Sequence, residues 1–294
     1  MTAVVVLLTF VVVVIVGLLL GVPFFYNRLA PSVDARRRAR NDEYFFSACS
    51  SGLLSRFRRV NRRLPADPRC RMCLVPFGVV GRVLRVRRSR KNPNYCMGCF
   101  EMAPMGGTDM EVGILFADLR GFTSWCEHQP PSAVEQALNR FYAVTTGVIT
   151  EADGLVDKLV GDEVMGLFLP AFPSLGDQTC AIMVTAAEEI VRRLHVSADR
   201  EDRLPVGIGV NFGMARVGNV GVGEVKDFTA VGDVVNTASR LQGCAHSGEI
   251  VMSEAVFEQV RDRYPNTAQA HFDLKGKTDA AVARILIVSE RTGA

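Results

Sequence analysis

The sequence predicts an α/β domain over the C-terminal part of the 294-residue chain. Three observations predict this fold class. Residues 112–117 form an uninterrupted apolar run of the kind found in buried strands. Residues 132–151 are long enough for a helix, and two short apolar runs flank residues 160–163 in the manner of a hairpin. Strands that alternate with helices are typical of layered cores.

An apolar region and then a basic region precede this domain. Residues 3–25 contain no charged side chain, and a bilayer core requires about 20 apolar residues in a helix. We therefore expect residues 1–27 to form a single-pass anchor in the cell membrane. Arg28 and the arginines of 36–40 then place the rest of the chain in the cytoplasm. An export signal is the alternative, although such signals usually carry a basic residue before a shorter apolar core.

Residues 28–66 are predicted to form a basic juxtamembrane linker. From residue 28 to residue 91 there are eighteen basic residues against four acidic ones, which the formal net charge of +3 conceals. Arginines near a membrane surface attract anionic lipids by about 1 kcal/mol each. A solvated linker is one alternative and nucleic-acid binding another, and the position behind an anchor favours lipid over nucleic acid.

Two Cys-x-x-Cys pairs lie within residues 67–101. Cys70 and Cys73 form the first pair, Cys96 and Cys99 the second, and 22 residues separate them. In a reducing compartment such pairs usually bind metal or act in redox chemistry. Four thiolates predict a zinc-ribbon-like segment with a structural Zn²⁺, whereas an iron–sulfur cluster and a set of reduced or redox thiols remain alternatives.

The predicted domain carries two aspartates at strand ends. Asp118 ends the first apolar run, and Asp162 lies at the tip of the predicted hairpin. If the strands are neighbours the two carboxylates converge, as two-metal phosphoryl chemistry requires. Gly121 permits a sharp turn after Asp118, so the backbone amides of Phe122 and Thr123 can face phosphate oxygens.

Three motifs occur in an order that resembles the class III adenylyl and guanylyl cyclases. They are Phe-Ala-Asp-Leu-Arg-Gly-Phe-Thr at 116–123, Lys-Leu-Val-Gly-Asp at 158–162 and Gly-Asp-Val-Val-Asn-Thr-Ala-Ser-Arg at 232–240. The resemblance covers residues 109–294. It implies a ferredoxin-like βαββαβ palm, with a mostly antiparallel central sheet and helices on one side.

The resemblance also implies roles for individual residues. Asp118 and Asp162 match the aspartates that bind two Mg²⁺ or Mn²⁺ ions, with the Leu119 carbonyl as a further ligand. Asn236 and Arg240 match the pair that orients the ribose and stabilises the charge on the α-phosphate. Their spacing of four residues places both on one face of a helix.

The identity of the base depends on two positions. Lys158 is similar to the adenine-reading type, and Thr229 resembles a threonine-containing subgroup of adenylyl cyclases. Lys275 matches a lysine that meets the terminal phosphates, whereas the matching phosphate arginine is absent and Lys226 is only an approximate substitute. The sequence therefore predicts ATP rather than GTP as substrate, with a guanylate cyclase as the alternative.

The resemblance further implies a homodimer in which each subunit contributes residues to two equivalent sites. Two rival functions remain. A non-catalytic cyclase-like receptor or scaffold would usually have lost a metal aspartate or the Asn/Arg pair, and this chain keeps all four residues. A nucleic-acid-binding zinc protein would bind DNA or RNA through residues 31–100.

Overall fold

The structure is a computed structural model that describes residues 58–64, 68–102, 106–172, 174–196, 203–222, 225–273 and 280–289. Within these residues eight strands form one sheet, namely β1 Gly106–Leu119, β2 Leu155–Val160, β3 Glu163–Phe168, β4 Val206–Val222, β5 Val225–Val231, β6 Glu249–Ser253, β7 Ala268–Phe272 and β8 Ala281–Ile287. The α-helices are α1 Val79–Val83, α2 Phe122–Cys126, α3 Pro131–Glu151, α4 Thr179–Val191, α5 Asp233–Cys244 and α6 Glu254–Val260.

The sheet has the strand order β2-β3-β1-β4-β6-β8-β7, and β5 pairs with β4. Its pairings are antiparallel except that of β4 with β6, which is parallel. The strands β1 to β4 together with α3 and α4 follow the βαββαβ order, with β2 as the outermost strand. The predicted mixed α/β palm and its mostly antiparallel sheet are confirmed.

Strand β1 is longer than the apolar run predicted. It begins at Gly106, where it pairs with Asn219 of β4, and it ends at Leu119. Residues 106–111 are partly exposed while residues 112–117 are buried. The first half is thus held by backbone pairing to β4 rather than by burial, so hydrophobicity alone did not reveal it.

Helices cover both faces of the sheet. Gly113 lies against α4 and Gly166 against α3, whereas Gly209 lies against α5. The register pairs Gly113 with Phe212, and side chains alternate along a strand, so Gly209 points to the opposite face. The expected one-sided arrangement is therefore right for α3 and α4 and wrong for α5. Burial of residues 112–117 on both sides explains why that run is apolar throughout.

The cysteine segment, defined here as residues 68–102, packs directly on the palm. Tyr95 and Phe100 are 0% and 1% exposed, and their rings contact Phe172 in the palm. Phe100 also contacts Phe228 of β5, with ring centroids 5.2 Å apart. The segment is short, and it buries these rings by sharing the core of the palm.

The predicted anchor, residues 1–27, lies outside the described residues, as does most of the basic linker. Of the helices that the structure describes, none combines the length and apolarity needed to cross a bilayer.

Candidate active site

Acidic residues converge where β1 meets the β2–β3 turn. The Leu119 N–H donates to the Asp162 carbonyl at 3.2 Å, and Asp118 lies opposite Glu163 in the β1–β3 register. Gly161 has a φ of 59°, which permits the two-residue turn, and the Tyr142 hydroxyl of α3 donates to its carbonyl. The hairpin and the convergence of both predicted aspartates are thus present.

The acidic cluster consists of Asp118, Asp162 and Glu163, and the guanidinium of Arg120 lies beside it. Burial raises the pKa of Asp118, and the neighbouring Asp162 raises it further against the opposing effect of Arg120. Burial and the same two aspartates raise the pKa of Glu163. Arg120 Nη1 lies 3.6 Å from Asp118 Oδ1. Crowded carboxylate oxygens are the donor set that Mg²⁺ and Mn²⁺ prefer, so these residues fit a divalent cation site.

Sequence reasoning missed Glu163, which belongs to this cluster, and Arg120, which lies beside it. Glu163 directly follows Asp162 and is the first residue of β3, where it lies opposite Asp118 of β1. The signal in the sequence was its position next to a predicted metal aspartate. Arg120 is held by a hydrogen bond from Nη2 to the Gln242 carbonyl of α5 at 2.6 Å. A Cβ at Gly207 would lie 2.4 Å from the Arg120 Nε, so this glycine makes the room that the guanidinium occupies.

The predicted phosphate-binding turn follows the acidic cluster. Gly121 has a φ of 70° and precedes α2, whose first residues are Phe122 and Thr123. The N–H groups in a first helical turn have no partner within the helix. Lys275 lies outside the described residues, and Lys226 lies on β5 opposite Gly221 of β4.

The two predicted base-reading residues touch each other although 71 positions separate them. Lys158 Nζ donates to Thr229 Oγ1 at 2.8 Å. Both side chains also contact the Asp157 Oδ2, each at 2.8 Å. The β2 register shifts between Val156 and Lys158, and this irregularity lets the adjacent Asp157 and Lys158 reach the same group.

A second lysine, from the cysteine segment, joins this network. Lys91 Nζ lies 3.3 Å from Asp157 Oδ1 and 2.8 Å from Asp227 Oδ1. Asp227 Oδ2 is in turn 3.6 Å from Lys158 Nζ. Sequence reasoning missed Lys91. The one unusual feature of Lys91 in the sequence is that it is the first lysine, since all cationic side chains before it are arginines.

The predicted transition-state pair lies on α5. Asn236 is exposed and Arg240 half-buried, one helical turn apart. Helix α5 lies very close to β4, and the absence of a side chain at Gly209 permits this approach. A Cβ at Gly209 would be only 2.2 Å from the Gln242 backbone nitrogen. This contact fixes the distance of the pair from the sheet.

The sequence matches the family model described as adenylate and guanylate cyclase catalytic domain over residues 107–286. The chain belongs to this family. The match begins within β1 and ends within β8, and it therefore contains the acidic cluster, the Lys158–Thr229 pair and α5.

Individual cyclases agree with this assignment. An adenylate cyclase of Anabaena cylindrica is 33% identical over 167 residues, which are 53% of this chain and 33% of that protein. The guanylyl cyclase Cya2 has a structure that is 28% identical, with a TM-score of 0.56 over 64% of this chain and 98% of that one. The adenylyl cyclase CyaB from P. aeruginosa, 23% identical with a TM-score of 0.54 over 63% of this chain and 98% of its own, shares the fold. This chain spans a third or less of the length of the curated relatives it matches.

A second candidate site lies in the cysteine segment of this chain. The Sγ atoms of Cys70, Cys73, Cys96 and Cys99 all lie within 4.8 Å of one another. Three of the pairs are 3.5, 3.6 and 3.8 Å apart, too far for disulfides. Four sulfurs bound tetrahedrally to Zn²⁺ at about 2.3 Å would be about 3.8 Å apart. The four residues therefore fit a tetrahedral metal.

Proposed function

We propose that this chain is an adenylate cyclase that converts ATP to 3′,5′-cyclic AMP and pyrophosphate. The observation that carries the proposal is the 2.8 Å contact between Lys158 and Thr229, in a domain that also holds the acidic cluster. A lysine can only donate hydrogen bonds, whereas a hydroxyl oxygen can accept one. Adenine presents an acceptor at N1 beside a donor at N6, while guanine presents a donor at N1 beside an acceptor at O6. The pair suits adenine if Lys158 donates to N1 and Thr229 accepts from the N6 amino group, whereas guanine would require the two residues in exchanged positions.

The acidic cluster would bind two Mg²⁺ or Mn²⁺ ions through Asp118, Asp162 and the Leu119 carbonyl. Such ions lower the pKa of the ribose 3′-hydroxyl and neutralise charge on the departing pyrophosphate. The amides of Phe122 and Thr123 would bind phosphate oxygens, with Lys275 as a further cation. The 3′-oxygen bonds to the α-phosphorus as the bond to pyrophosphate breaks.

Asn236 would orient the ribose, and Arg240 would stabilise the negative charge that develops on the α-phosphate. We propose that these two residues act on substrate held by the acidic cluster of a second copy. Exposed apolar side chains on β4 and β5 support a homodimer, since Val222 and Val225 are each 84% exposed.

A direct assay tests the reaction. The purified full chain is given ATP or GTP with Mg²⁺ or Mn²⁺, and the cyclic products are quantified. We expect cyclic AMP in excess, and no product with Asp118→Ala, because one carboxylate of the metal site is gone. Near-normal turnover by Asp118→Ala would reject the site.

Complementation tests the dimer. Asp118→Ala and Arg240→Ala proteins are each expected to be inactive, and their mixture should recover activity because one of the two sites of a mixed dimer is intact. A mixture that stays inactive argues that each chain forms its own site.

A guanylate cyclase is the second candidate, because the related structure of Cya2 is named a guanylyl cyclase. The same assay decides, and faster turnover of GTP than of ATP would favour it. A cyclase-like receptor or scaffold would give neither product.

We further propose a structural Zn²⁺ at Cys70, Cys73, Cys96 and Cys99. Purified protein should contain one zinc per chain beyond any Mg²⁺ or Mn²⁺, and Cys96→Ser protein should contain none. Stoichiometric iron would indicate a cluster instead.

For the N-terminal region we propose a cell-membrane anchor at residues 1–27, with the basic linker on anionic lipids and the cyclase domain in the cytoplasm. Membrane fractionation with a protease-protection assay tests this proposal, and protein in the soluble fraction would contradict it.

A further inference from the structure

A buried carboxylate lies behind the two base-reading residues. The side chain of Asp157 is 0% exposed and that of Lys91 10% exposed. The Asp157 Oδ1 faces Lys91, while its Oδ2 faces Lys158 and Thr229. A buried carboxylate is stable only when its oxygens are paired, so Asp157 requires these partners.

The hydrogen-bond inventory fixes the direction of the Thr229 hydroxyl. The ammonium group of Lys158 has no acceptor, so the Thr229 proton cannot point to it. The proton goes to Asp157 at 2.8 Å, and the alternative acceptor, the Ala230 carbonyl, is more distant at 3.5 Å. The Thr229 oxygen therefore accepts one hydrogen bond from Lys158 and keeps one lone pair.

That lone pair makes Thr229 an acceptor toward a bound base. Without Asp157 the hydroxyl could rotate and donate instead, and a donor suits the O6 of guanine as well as an acceptor suits the N6 of adenine. A hydroxyl group can donate or accept a hydrogen bond, and fixing its proton on Asp157 leaves Thr229 only the acceptor role toward the base.

Lys91 controls the charge around Asp157. Lys91 and Lys158 carry two positive charges, which Asp157 and Asp227 balance. If Lys91 is removed, Lys158 alone faces two carboxylates and is drawn toward them. It is then less able to donate to a base.

The cysteine segment delivers Lys91 to this position. The Lys91 carbonyl accepts from the Val156 N–H at 2.7 Å, which places it directly beside β2. Asn92 Nδ2 donates to the Gly154 carbonyl at 2.7 Å, and Ser89 Oγ accepts from the Lys91 N–H at 3.0 Å. Lys91 is therefore fixed through its backbone by the segment that carries the four cysteines.

We propose that Lys91 and Asp157 are positioning residues that set the preference for adenine, by fixing the Thr229 hydroxyl as an acceptor and holding Lys158 toward the base. The inference rests on the proposed function. It assigns the cysteine segment a part in substrate selection.

Steady-state kinetics of the full chain with ATP and with GTP test this inference. Lys91→Met should lower kcat/KM for ATP about tenfold, the value of one charge-assisted hydrogen bond, while the value for GTP falls much less. Arg90→Met is the matched control, because Arg90 is the neighbouring cation and its side chain is exposed. Its ATP-to-GTP ratio should equal that of the wild type. Zinc content and melting temperature are measured for both variants.

A double-mutant cycle shows whether Lys91 acts through Thr229. In a Thr229→Val background, Lys91→Met should change the ATP-to-GTP ratio by less than half as much as in the wild type. If Lys91→Met does not fold, Lys91→Gln replaces it. Its neutral hydrogen bond to Asp157 predicts a smaller fall in the ratio, about threefold.

A wild-type ATP-to-GTP ratio in the Lys91 variant would overturn the inference, whether turnover is unchanged or falls equally for both nucleotides. An equal fall would indicate a merely structural role for Lys91. If the wild-type chain makes no cyclic nucleotide, the proposed function fails. Equilibrium binding of ATP and GTP then tests the inference, since the same variants should lose preference for ATP, and unchanged preference contradicts it.

Discussion

Replacing Gly209 by alanine should slow catalysis through a displacement of α5. A Cβ at Gly209 would lie 2.2 Å from the Gln242 nitrogen and 2.5 Å from both the Ala238 carbonyl oxygen and the Gln242 Cα. All three are backbone atoms, so no flexible side chain can yield. Ordinary contact begins at 3.4 Å, and α5 must therefore move by roughly 1.2 Å, the difference between 3.4 and 2.2.

The helix carries Asn236 and Arg240, so the displacement changes the position of the proposed transition-state pair. A misplacement of about 1 Å can cost about 100-fold in rate. We expect Gly209→Ala to lower kcat by about that factor and the free energy of unfolding by about 1–3 kcal/mol. The assays are cyclic AMP production at saturating ATP and urea denaturation.

Gly243→Ala is the matched control. Gly243 also lies in α5, but a Cβ there meets nothing within 4 Å. The same substitution should leave kcat unchanged and stabilise the protein slightly, as alanine does within helices. If Gly209→Ala folds and keeps a kcat within about twofold of wild type, then α5 does not position the chemistry.

Phe100→Ala should lower the free energy of unfolding by about 3–5 kcal/mol in urea denaturation, because the ring is 1% exposed. The cysteine segment and the palm should unfold in one transition, and two separate transitions would contradict a shared core. Cys96→Ser, or removal of the metal by a chelator, should lower the melting temperature, and an unchanged value would argue against a structural metal. In metal-free protein, burial raises the pKa of Asp118 and Glu163, so the native state binds more protons than the unfolded chain. Its stability should therefore fall as pH rises from about 4 through the raised values, and less steeply in Asp118→Asn. Equal slopes in the two proteins would refute that cause.

The sequence predicted those parts of the site that short motifs encode. Asp118 and Asp162 each follow an apolar run, and a run that ends in a carboxylate can be recognised locally. The pairing of Lys158 with Thr229 spans 71 residues, and only the resemblance to a family placed the two residues together.

The contacts of Asp157 and Lys158 with Thr229 could not be predicted from the sequence, because they depend on an irregularity in β2. Regular alternation along β2 would place Asp157 and Lys158 on opposite faces, and only the register shift after Val156 brings them to one group. Lys91 reaches Asp157 across 66 residues, through a segment whose docking depends on tertiary packing. The position of α5 was likewise unpredictable, because glycines along a strand do not reveal which helix approaches them.

The contact of Lys91 with β2 determines which fragments of this protein retain a covered sheet edge. The family match begins at residue 107, yet a fragment starting there would lose the carbonyl that covers the Val156 N–H and the rings that cover Phe172 and Phe228. An uncovered outer strand beside bare aromatic rings is a template for self-association. The smallest fragment that keeps β2 and these rings covered must therefore include the cysteine segment, residues 68–102, which precedes the start of the family match.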